Sequence, residues 1–381
     1  MIQKVRTAVV GCGMISQVYL RNLIEQFTII DVAGCCDLKP GLARKNAEQF
    51  GIQVLTFEDI QKDPSVELVI NLTAPQNHYE VIKQLLYAGK HVYTEKVLSL
   101  TFDEGKELVK LADEKKLYLG AAPDTFLGSA IQTARFVLDS GIIGEVTACT
   151  AVLNRDNRVG AEVIPYLSEN GGGIAYDVGI YYITALLYLI GPIAEVAGFM
   201  TTRNAQRVHI FPRKQDYDEP YTMKCENLCI ASLRFANGVF GNVQFNSECI
   251  MNRYPELNIY GTEGILYLPD PDAFGGIIKV LRRGNADPFV LAQNHGYSEN
   301  SRGLGAAELA WSIRKNRKPR ASKEMALHAI EILEGISTSG ETGTFYKLKT
   351  SFSPAPPLPQ GFLKMSEFAD FPADQEAALT K

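Results

Sequence analysis

The sequence predicts an α/β fold in which an N-terminal doubly wound parallel sheet is followed by a C-terminal α+β domain with an open, mostly antiparallel sheet. In the first third of the chain, short apolar runs alternate with segments of helical periodicity, which is typical of βαβ units. Beyond Pro123 the strand-like segments alternate apolar and polar residues, which is typical of antiparallel sheets. We therefore predict domains at residues 1–122 and 123–350, followed by a proline-rich arm at 351–381.

Five apolar runs in the first third predict the strands of the parallel sheet: Val5–Val10, 29–36, 68–72, 91–93 and 117–120. The segments between them are predicted to be helices, because apolar residues recur three and four positions apart, as in the stretch 81–86. Parallel strands of one sheet are joined by right-handed crossovers, so we expect helices on both faces of this sheet.

In the second domain the clearest signal is a hairpin, in which strands at 227–235 and 239–247 flank Asn237-Gly238. Further strands are predicted at 256–260, 265–268 and 277–281, and a helix at 128–140. Two late helices, at 303–315 and 323–338, have no neighbouring strands and are expected to pack against one of the two domains. The arm contains Pro354, Pro356, Pro357 and Pro359 and is predicted to be extended.

Composition and charge exclude several classes of protein. The chain has 381 residues, of which 46% are hydrophobic and 21% charged, so it has enough apolar surface for a folded core. Its 38 basic and 43 acidic residues form no long runs of one sign, which predicts no nucleic-acid partner. The longest apolar stretch, 180–190, is far shorter than the ~20 residues that cross a bilayer. Because no signal-peptide pattern precedes the first strand, we expect a cytoplasmic protein with no membrane partner.

The cysteines, two of the histidines and the single tryptophan are predicted to have no role in catalysis or metal binding. The seven cysteines are expected to be reduced and mostly buried. Cys225 and Cys229 have no second pair beside them, so we predict no metal site. His295 and His328 are expected at the surface, and Trp311 in core or interface packing.

A dinucleotide site is predicted where the first strand leads into Gly11-Cys12-Gly13-Met14-Ile15-Ser16 and then a helix. Gly11 permits the tight turn, and Gly13 lets the backbone approach a pyrophosphate at the helix N-terminus. Ser16 stands where a third glycine or an alanine is usual. Asp37, at the end of the second predicted strand, is placed to accept hydrogen bonds from the adenosine ribose hydroxyls, which favours NAD. Lys39 lies close enough that use of NADP stays open.

A second set of residues suggests proton transfer to or from a substrate. Asp177 and Tyr181 are four residues apart on a predicted helix that begins after Gly171–173, so they share one face. A tyrosine acts as a base only if a nearby cation favours its ionised form, and Lys96, at the carboxyl end of a strand, can supply that charge. The alternatives are that Tyr181 is a core residue, Asp177 a favourable first-turn charge and Lys96 a solvated strand end.

Together, these motifs resemble the glucose-fructose oxidoreductase / inositol dehydrogenase / rhizopine-catabolism (Gfo/Idh/MocA) family of NAD(P)-dependent oxidoreductases. The resemblance covers nearly the whole chain and is carried by five segments in the family's order: Gly11 to Ser16, Ala74-Pro75 to His78, Thr94-Glu95-Lys96, Gly171 to Tyr181 and Tyr260 to Gly264. It implies that Lys96 and Asp177 are catalytic and that the family's acid/base histidine is replaced by Tyr181, as in its tyrosine-type branches. Val97 stands where the family commonly has a proline, which puts the sometimes cis peptide of that position in question.

The motif and the resemblance together predict these cofactor contacts: Gly11, Gly13, Met14, Ile15, Asp37, Thr73, Pro75, His78, Glu95 and Lys96. For His78, capping of the next helix is an equally good interpretation. Substrate contacts are predicted for Lys96, Asn154, Arg158, Asp177 and Tyr181. The alternative for Asn154 and Arg158 is an exposed polar loop.

The predicted function is hydride transfer between nicotinamide and a hydroxyl of a sugar, cyclitol or glycoside. The segment 122–128 and the Asp177 helix also resemble a subgroup that oxidises glycosides at C3. Two alternatives stay open. One is a glycosidase-like enzyme that retains NAD and acts by transient C3 oxidation and elimination, and the other is a non-catalytic sugar or nucleotide sensor. The resemblance also implies a homodimer or homotetramer formed through the C-terminal sheet.

Overall fold

The N-terminal sheet consists of six parallel strands in the order β3-β2-β1-β4-β5-β6, in a computed structural model that describes residues 3–250 and 256–360. Its strands are β1 Val5–Val10, β2 Ile30–Cys36, β3 Gln53–Val54, β4 Leu68–Asn71, β5 His91–Thr94 and β6 Leu119–Ala121. Its helices are α1 Ser16–Glu25, α2 Pro40–Phe50, α3 Phe57–Lys62, α4 His78–Tyr87 and α5 Phe102–Lys115. The five predicted strands and the parallel pairing are confirmed, and only the short, exposed β3 was missed.

This strand order places β1 beside β4, where the direction of the crossover connections changes. The loops that follow the carboxyl ends of the strands at such a point form a crevice, which is where open α/β sheets bind ligands. The loop after β1 contains the glycine turn, the loop after β4 begins at Leu72, and Lys96 follows β5. The topology therefore brings the predicted cofactor segments to one edge of the sheet.

The second sheet has nine strands in the order β16-β15-β14-β13-β7-β12-β11-β8-β17, and only β7 and β12 pair in parallel. The strands are β7 Val146–Asn154, β8 Ile193–Thr201, β11 Leu228–Phe235, β12 Phe240–Asn246, β13 Glu256–Gly261, β14 Gly264–Leu268, β15 Ile278–Arg282, β16 Phe289–Leu291 and β17 Tyr346–Lys347. A separate pair is formed by β9 Gln206–Val208 and β10 Pro220–Thr222. The mostly antiparallel sheet and the hairpin at Asn237-Gly238 are confirmed, with Gly238 at a φ of 91°.

The helices of the second part are α6 Ser129–Asp139, α7 Asn157–Val163, α8 Ile180–Leu189, α9 Leu304–Lys315 and α10 Lys323–Thr342. Helices α6, α8 and α10 lie against the large sheet or against one another. Helix α9 lies against β5 and β6, while α10 contacts both α5 and β8. The prediction that the late helices pack against one domain is therefore wrong for α10, whose buried residues face both.

One face of the large sheet is open in the single chain. Along β11 the side chains of Cys229, Ala231 and Leu233 are buried, whereas those between them are exposed. Phe199 on β8 and Phe240 on β12 are also exposed. This alternation is the period-2 pattern of a sheet that packs on one face only.

Burial corrects the expectation for two histidines. His295 and His328 were expected at the surface but are buried, with exposed fractions of 3% and 0%. The ring of His295 contacts the Leu358 carbonyl oxygen, and Nε2 of His328 accepts a hydrogen bond from the Ile193 backbone amide at 3.0 Å. Trp311 lies in the core as predicted.

Residues 351–360 of the predicted arm are extended and lie against the rest of the chain. The Leu358 amide donates to Oε1 of Gln132 at 2.7 Å, and Nε of Arg320 donates to the Pro356 carbonyl oxygen at 3.0 Å. The prediction for residues 361–381 lies outside the described residues. All seven cysteines are free, and six of them are buried. Within the described ranges, no helix has the length and apolar character needed to span a membrane.

We predict that His328 makes the fold sensitive to acid. Burial lowers the pKa of His328 from 6.5 to about 4, so the neutral ring stabilises the fold above pH 6.5 and this contribution is lost as the pH falls through 4. By linkage, the free energy of unfolding should fall by about 3 kcal/mol between pH 7 and pH 4 from this group. Urea unfolding of the wild type and of His328→Gln across this range measures the difference, and equal pH dependences would contradict the prediction.

Candidate active site

The glycine turn after β1 is built for a close approach of two backbones. Gly11 has a φ of 99°, and a Cβ there would lie 2.6 Å from the carbonyl carbon of Leu72. A Cβ at Gly13 would meet no atom within 4 Å, so this position faces open space. Ser16 is buried, and its hydroxyl donates to the Gly13 carbonyl oxygen at 2.6 Å. Ser16 therefore holds the turn from the position where the motif usually has a glycine or an alanine.

Asp37 lies at the end of β2, beside this turn. Its carboxylate accepts hydrogen bonds from the backbone amides of Cys12 and Lys39, both at 2.7 Å. Each carboxylate oxygen can accept a further hydrogen bond. Asp37 thus fixes the glycine turn while keeping acceptor sites for ribose hydroxyls.

The loop after β4 contains the predicted cofactor residues Thr73, Pro75 and His78. The amide and hydroxyl of Thr73 both donate to Oδ1 of Asn71, at 3.2 and 2.8 Å. His78 is the first residue of α4 and is completely buried, with Nδ1 2.5 Å from the Val97 carbonyl oxygen and Nε2 2.9 Å from that of Thr73. The ring therefore ties the loop after β4 to the loop after β5, and burial lowers its pKa. Both ring nitrogens face protein backbone, which leaves neither for a nicotinamide.

Glu95 and Lys96 follow β5. The buried Glu95 carboxylate accepts from the Tyr19 hydroxyl at 2.6 Å and from the Lys96 amide at 3.0 Å, which connects helix α1 to the β5 loop. The Lys96–Val97 peptide bond is cis, although Val97 replaces the usual proline. The departure at Val97 therefore leaves the cis geometry in place.

Lys96 and Asp177 form an ion pair across the two parts of the chain. Nζ of Lys96 lies 2.5 Å from Oδ1 of Asp177 and 2.7 Å from its carbonyl oxygen, and the two side chains are only 14% and 13% exposed. Burial alone would lower the pKa of Lys96, but the negative groups around it, Asp177 foremost, raise it well above its usual value. The Tyr166 hydroxyl donates to the same Asp177 oxygen at 2.8 Å. Lys96 is therefore held as an ammonium group.

Tyr181 is buried beside this pair, with Nζ of Lys96 5.6 Å from the centre of its ring. Burial raises the pKa of Tyr181 above its ordinary value of 10, and the opposing effect of Lys96 does not cancel it. The expectation that Lys96 stabilises a Tyr181 phenolate stays a prediction, and in the protein alone desolvation opposes the charge of the ammonium group and favours the neutral phenol.

The local backbone also differs from the expected α-helix. Residues Ala175–Gly179 form a π-helical turn, and α8 begins only at Ile180. Asp177 and Tyr181 were expected to share a face of one regular helix, but they meet Lys96 across this wider turn. π-Turns are frequent at functional sites.

Arg302 was missed by the sequence analysis. Its guanidinium group interacts electrostatically with Tyr181 and donates to Oδ1 of Asp272 at 2.6 Å. The loop around Arg302 is fixed by Asp124, whose Oδ2 accepts from the amides of Gly303 and Gly305, both at 3.0 Å. These residues lie far from Tyr181 in sequence and match no short motif, so only the folded chain brings them together.

The predicted substrate residues Asn154 and Arg158 are placed less centrally. Asn154 ends β7 and accepts a hydrogen bond from Gln244 at 3.4 Å. Arg158 lies in α7, forms a bidentate pair with Asp156 at 2.9 and 2.7 Å, and keeps 59% of its side chain exposed. The structure brings Lys96, Asp177 and Tyr181 together and shows no contact of Arg158 with them.

The residues at the glycine turn fit a dinucleotide. Gly13 leaves open space, Met14 is exposed, and the N-terminus of α1 has no side-chain cap, so this end of the helix is open to a pyrophosphate. Asp37 is placed for the ribose hydroxyls. Comparison with protein-family models agrees: residues 5–122 match an oxidoreductase family with an NAD-binding Rossmann fold. Fold and site thus define an NAD-binding oxidoreductase.

Residues 131–267 match the GFO/IDH/MocA C-terminal domain. The inositol 2-dehydrogenase/D-chiro-inositol 3-dehydrogenase of Lactiplantibacillus plantarum is 35% identical over 69% of this chain and 71% of its own. The chain therefore belongs to the Gfo/Idh/MocA oxidoreductase family, as its motifs indicated.

Other relatives match in part or share the fold. Two uncharacterized oxidoreductases of Schizosaccharomyces pombe are 28% and 29% identical over 49% of this chain, which spans about half, 52%, of their length. The solved structure of levoglucosan dehydrogenase in complex with NADH superposes with a TM-score of 0.79. That superposition covers 91% of this chain and 100% of the other at 18% identity, which shows a common fold.

We predict opposite consequences for two alanine substitutions in the glycine turn. Gly11→Ala should lower the free energy of unfolding by at least about 1–2 kcal/mol, because its φ is left-handed and its Cβ would meet Leu72.

Gly13→Ala should change the free energy of unfolding by less than about 0.5 kcal/mol, because its Cβ meets no atom within 4 Å. Its methyl group would instead occupy the space of the pyrophosphate and weaken NAD binding. Urea unfolding and titration calorimetry measure the two effects, and unchanged NAD affinity in Gly13→Ala would place the cofactor elsewhere.

Proposed function

We propose that the protein is an NAD-dependent dehydrogenase that acts on a hydroxyl group of a sugar, cyclitol or glycoside. The observation that carries this proposal is the convergence of Lys96, Asp177 and Tyr181 at the carboxyl edge of the sheet that binds the dinucleotide. Such a site combines a cofactor crevice with groups that can hold and transfer a proton.

Each residue has a role that follows from its contacts. NAD bound at the glycine turn would supply the hydride acceptor. The Lys96 ammonium has three N–H groups, of which two are directed to Asp177, so the third can donate to the reacting oxygen of the substrate. Tyr181, between Lys96 and Arg302, exchanges the proton of that oxygen. Asp177 and Tyr166 orient the ammonium group.

Before any ligand binds, the protonation states of Lys96 and Tyr181 favour donation of a proton to a substrate carbonyl. Lys96 is an ammonium group and Tyr181 a neutral phenol, since their pKa values are both raised above the ordinary ones. In the direction of carbonyl reduction, either can donate at once. In the direction of alcohol oxidation, one of them must first lose its proton, so this direction benefits from higher pH.

The substrate class is supported by the relatives and by the lining of the site. The bacterial relative is named for dehydrogenation of inositols, and the structural neighbour for levoglucosan. Asp272 lies near Tyr181 and pairs with Arg302, and Arg155 lies 3.7 Å from Asp272, so these polar side chains suit a polyhydroxylated molecule. We retain the C3 hydroxyl of a glycoside as the specific proposal, and NAD as the preferred cofactor because of Asp37.

We also propose that the open face of the nine-stranded sheet is covered in a homodimer or homotetramer. Phe199 and Phe240 are exposed on this face, and large exposed apolar side chains on a sheet surface are typical of association interfaces. Sedimentation of the purified protein tests this proposal, and a monomer at micromolar concentration would reject it.

The function is tested by identifying the nucleotide released on denaturation and then following the NADH absorbance as glycosides, free sugars and cyclitols are added with NAD. Reduction of NAD by one class of compound supports the proposal and names the substrate. Release of an aglycone without net NADH would instead indicate the NAD-retaining glycosidase-like activity. Tight sugar binding with no turnover would indicate a sensor.

We predict that Tyr181→Phe lowers kcat by about 10²–10⁴, the usual contribution of a proton-transfer group. NAD affinity should be unchanged, because the glycine turn is not in contact with this ring. The matched control is Tyr188→Phe on the same helix, which removes a buried hydroxyl that donates to Gln132 at 3.1 Å. This control should keep kcat within about twofold, since only one structural hydrogen bond is lost. Equal effects of the two substitutions would remove Tyr181 from the mechanism.

A further inference from the structure

Glu226 lies two residues before the start of β11, and its carboxylate lies against the backbone that leads into Asp177. Its Oε1 accepts hydrogen bonds from the amides of Ala175 at 3.0 Å and Tyr176 at 3.4 Å. Its own carbonyl oxygen accepts from the amide of Ile174 at 3.2 Å. Amides at the start of a helical segment lack partners within the segment, and a carboxylate satisfies them with charge-assisted hydrogen bonds.

The three-glycine segment fits around this carboxylate. A Cβ at Gly173 would overlap the Glu226 carboxyl group, and a Cβ at Gly172 would overlap the backbone of Tyr166 and Leu167. Gly173 is therefore required by the close approach of Glu226, and Gly172 by the close approach of the backbone at Tyr166 and Leu167. Both neighbours support Asp177, Tyr166 through its carboxylate and Glu226 through the preceding backbone.

These contacts continue directly to the candidate catalytic lysine. Asp177 is the residue after Tyr176, and both its carbonyl oxygen and its carboxylate hold Nζ of Lys96. A rotation of the backbone at residues 174–176 would move both acceptors together. The position of the ammonium group thus depends on the backbone that Glu226 holds.

The surroundings of Glu226 make its charge unfavourable for stability. Burial raises the pKa of Glu226 from 4.5 to about 7, and the nearby negative charge of Asp177 adds to the effect. A raised pKa means that this group stabilises the fold below pH 4.5 and that the contribution is lost as the pH rises through 7. Above pH 7 a neutral amide at this position should be at least as stable as the carboxylate.

Other titratable groups face Glu226 from each neighbouring element. It borders a cavity of about 610 Å³ between α5, α10 and the three-glycine segment. The groups that face it or the cavity are Tyr176, Asp177, Cys229, Lys224, Glu104 and Glu334. Lys224 pairs with Glu169 at 2.9 Å, and the Glu334 carboxylate accepts from the Phe102 amide at 2.9 Å.

We propose that Glu226 is a positioning residue for the reaction. Its carboxylate holds the backbone of residues 174–176, so that the carbonyl oxygen and Oδ1 of Asp177 both face Nζ of Lys96. The proposal rests on the proposed function for its effect on turnover, but its effect on Lys96 is independent of any substrate. The charge is retained at this position for the geometry of the site and not for the stability of the fold.

The test compares the wild type with Glu226→Gln and, as a matched control, Glu334→Gln, which removes a carboxylate charge from the same cavity. Purified protein is treated with formaldehyde and a borane reductant at pH 8, and the methylation rate of Lys96 is followed by peptide mass spectrometry. Melting temperatures are measured at the same pH. For Glu226→Gln we expect methylation of Lys96 about tenfold faster, the effect of losing one charge-assisted contact, at an equal or higher melting temperature. Glu334→Gln should leave the rate for Lys96 unchanged.

A turnover assay adds a second readout. With the substrate and NAD of the wild type, Glu226→Gln should lower kcat about ten- to a hundredfold with KM within about twofold, as expected for displaced catalytic groups. Unchanged methylation of Lys96 overturns the proposal, as does a loss of melting temperature that accompanies faster methylation of all buried lysines. If the wild type turns over no substrate, the proposed function fails, while the methylation rates still decide the role of Glu226.

Discussion

The ion pair between Lys96 and Asp177 is the interaction on which the rest of the site depends. It joins the end of a strand in the first sheet to a helical segment that packs against the second sheet, and both side chains are largely withdrawn from water. Removing one partner of a pair in this environment strongly destabilises the fold, because the other charge stays buried without a partner. Tyr166, Glu226 and Arg302 each support the pair or the adjacent Tyr181. The two parts of the chain therefore meet at the site where we propose that proton transfer takes place.

Local patterns were sufficient for much of the fold. The glycine turn follows a strand and precedes a helix, and Asn237-Gly238 lies between alternating runs, so both could be placed from neighbouring residues alone. The strand β8 was not recognised, because its half-buried residues follow a weaker pattern. The motifs were sufficient to single out Lys96 and Asp177, which the structure brings together, while their roles stay a prediction. Glu226 and Arg302 were missed because each acts through contacts with residues distant in sequence.

Burial is the property that sequence patterns supplied least well. His78 was weighed as a group facing the nicotinamide, yet its ring is enclosed and both of its nitrogens lie against backbone carbonyl oxygens. Tyr181 was expected to ionise beside a cation, but the desolvation of the phenol outweighs that charge. In both cases the residue type indicated a possible role, but the sequence did not show that the side chain would be buried. The π-turn before α8 was also missed, because the apolar periodicity of this segment is that of an ordinary helix.

Asp37 helps to hold the dinucleotide turn in a fixed shape before any ligand binds. Its carboxylate already fixes the Cys12 amide, and Ser16 already fixes the Gly13 carbonyl, so the loop holds its shape through contacts within the protein. A ligand that enters such a loop has little backbone entropy to remove, and more of its contact energy is expressed as affinity. Because the loop holds its shape without the ligand, a nucleotide can enter and leave with little rearrangement of the backbone.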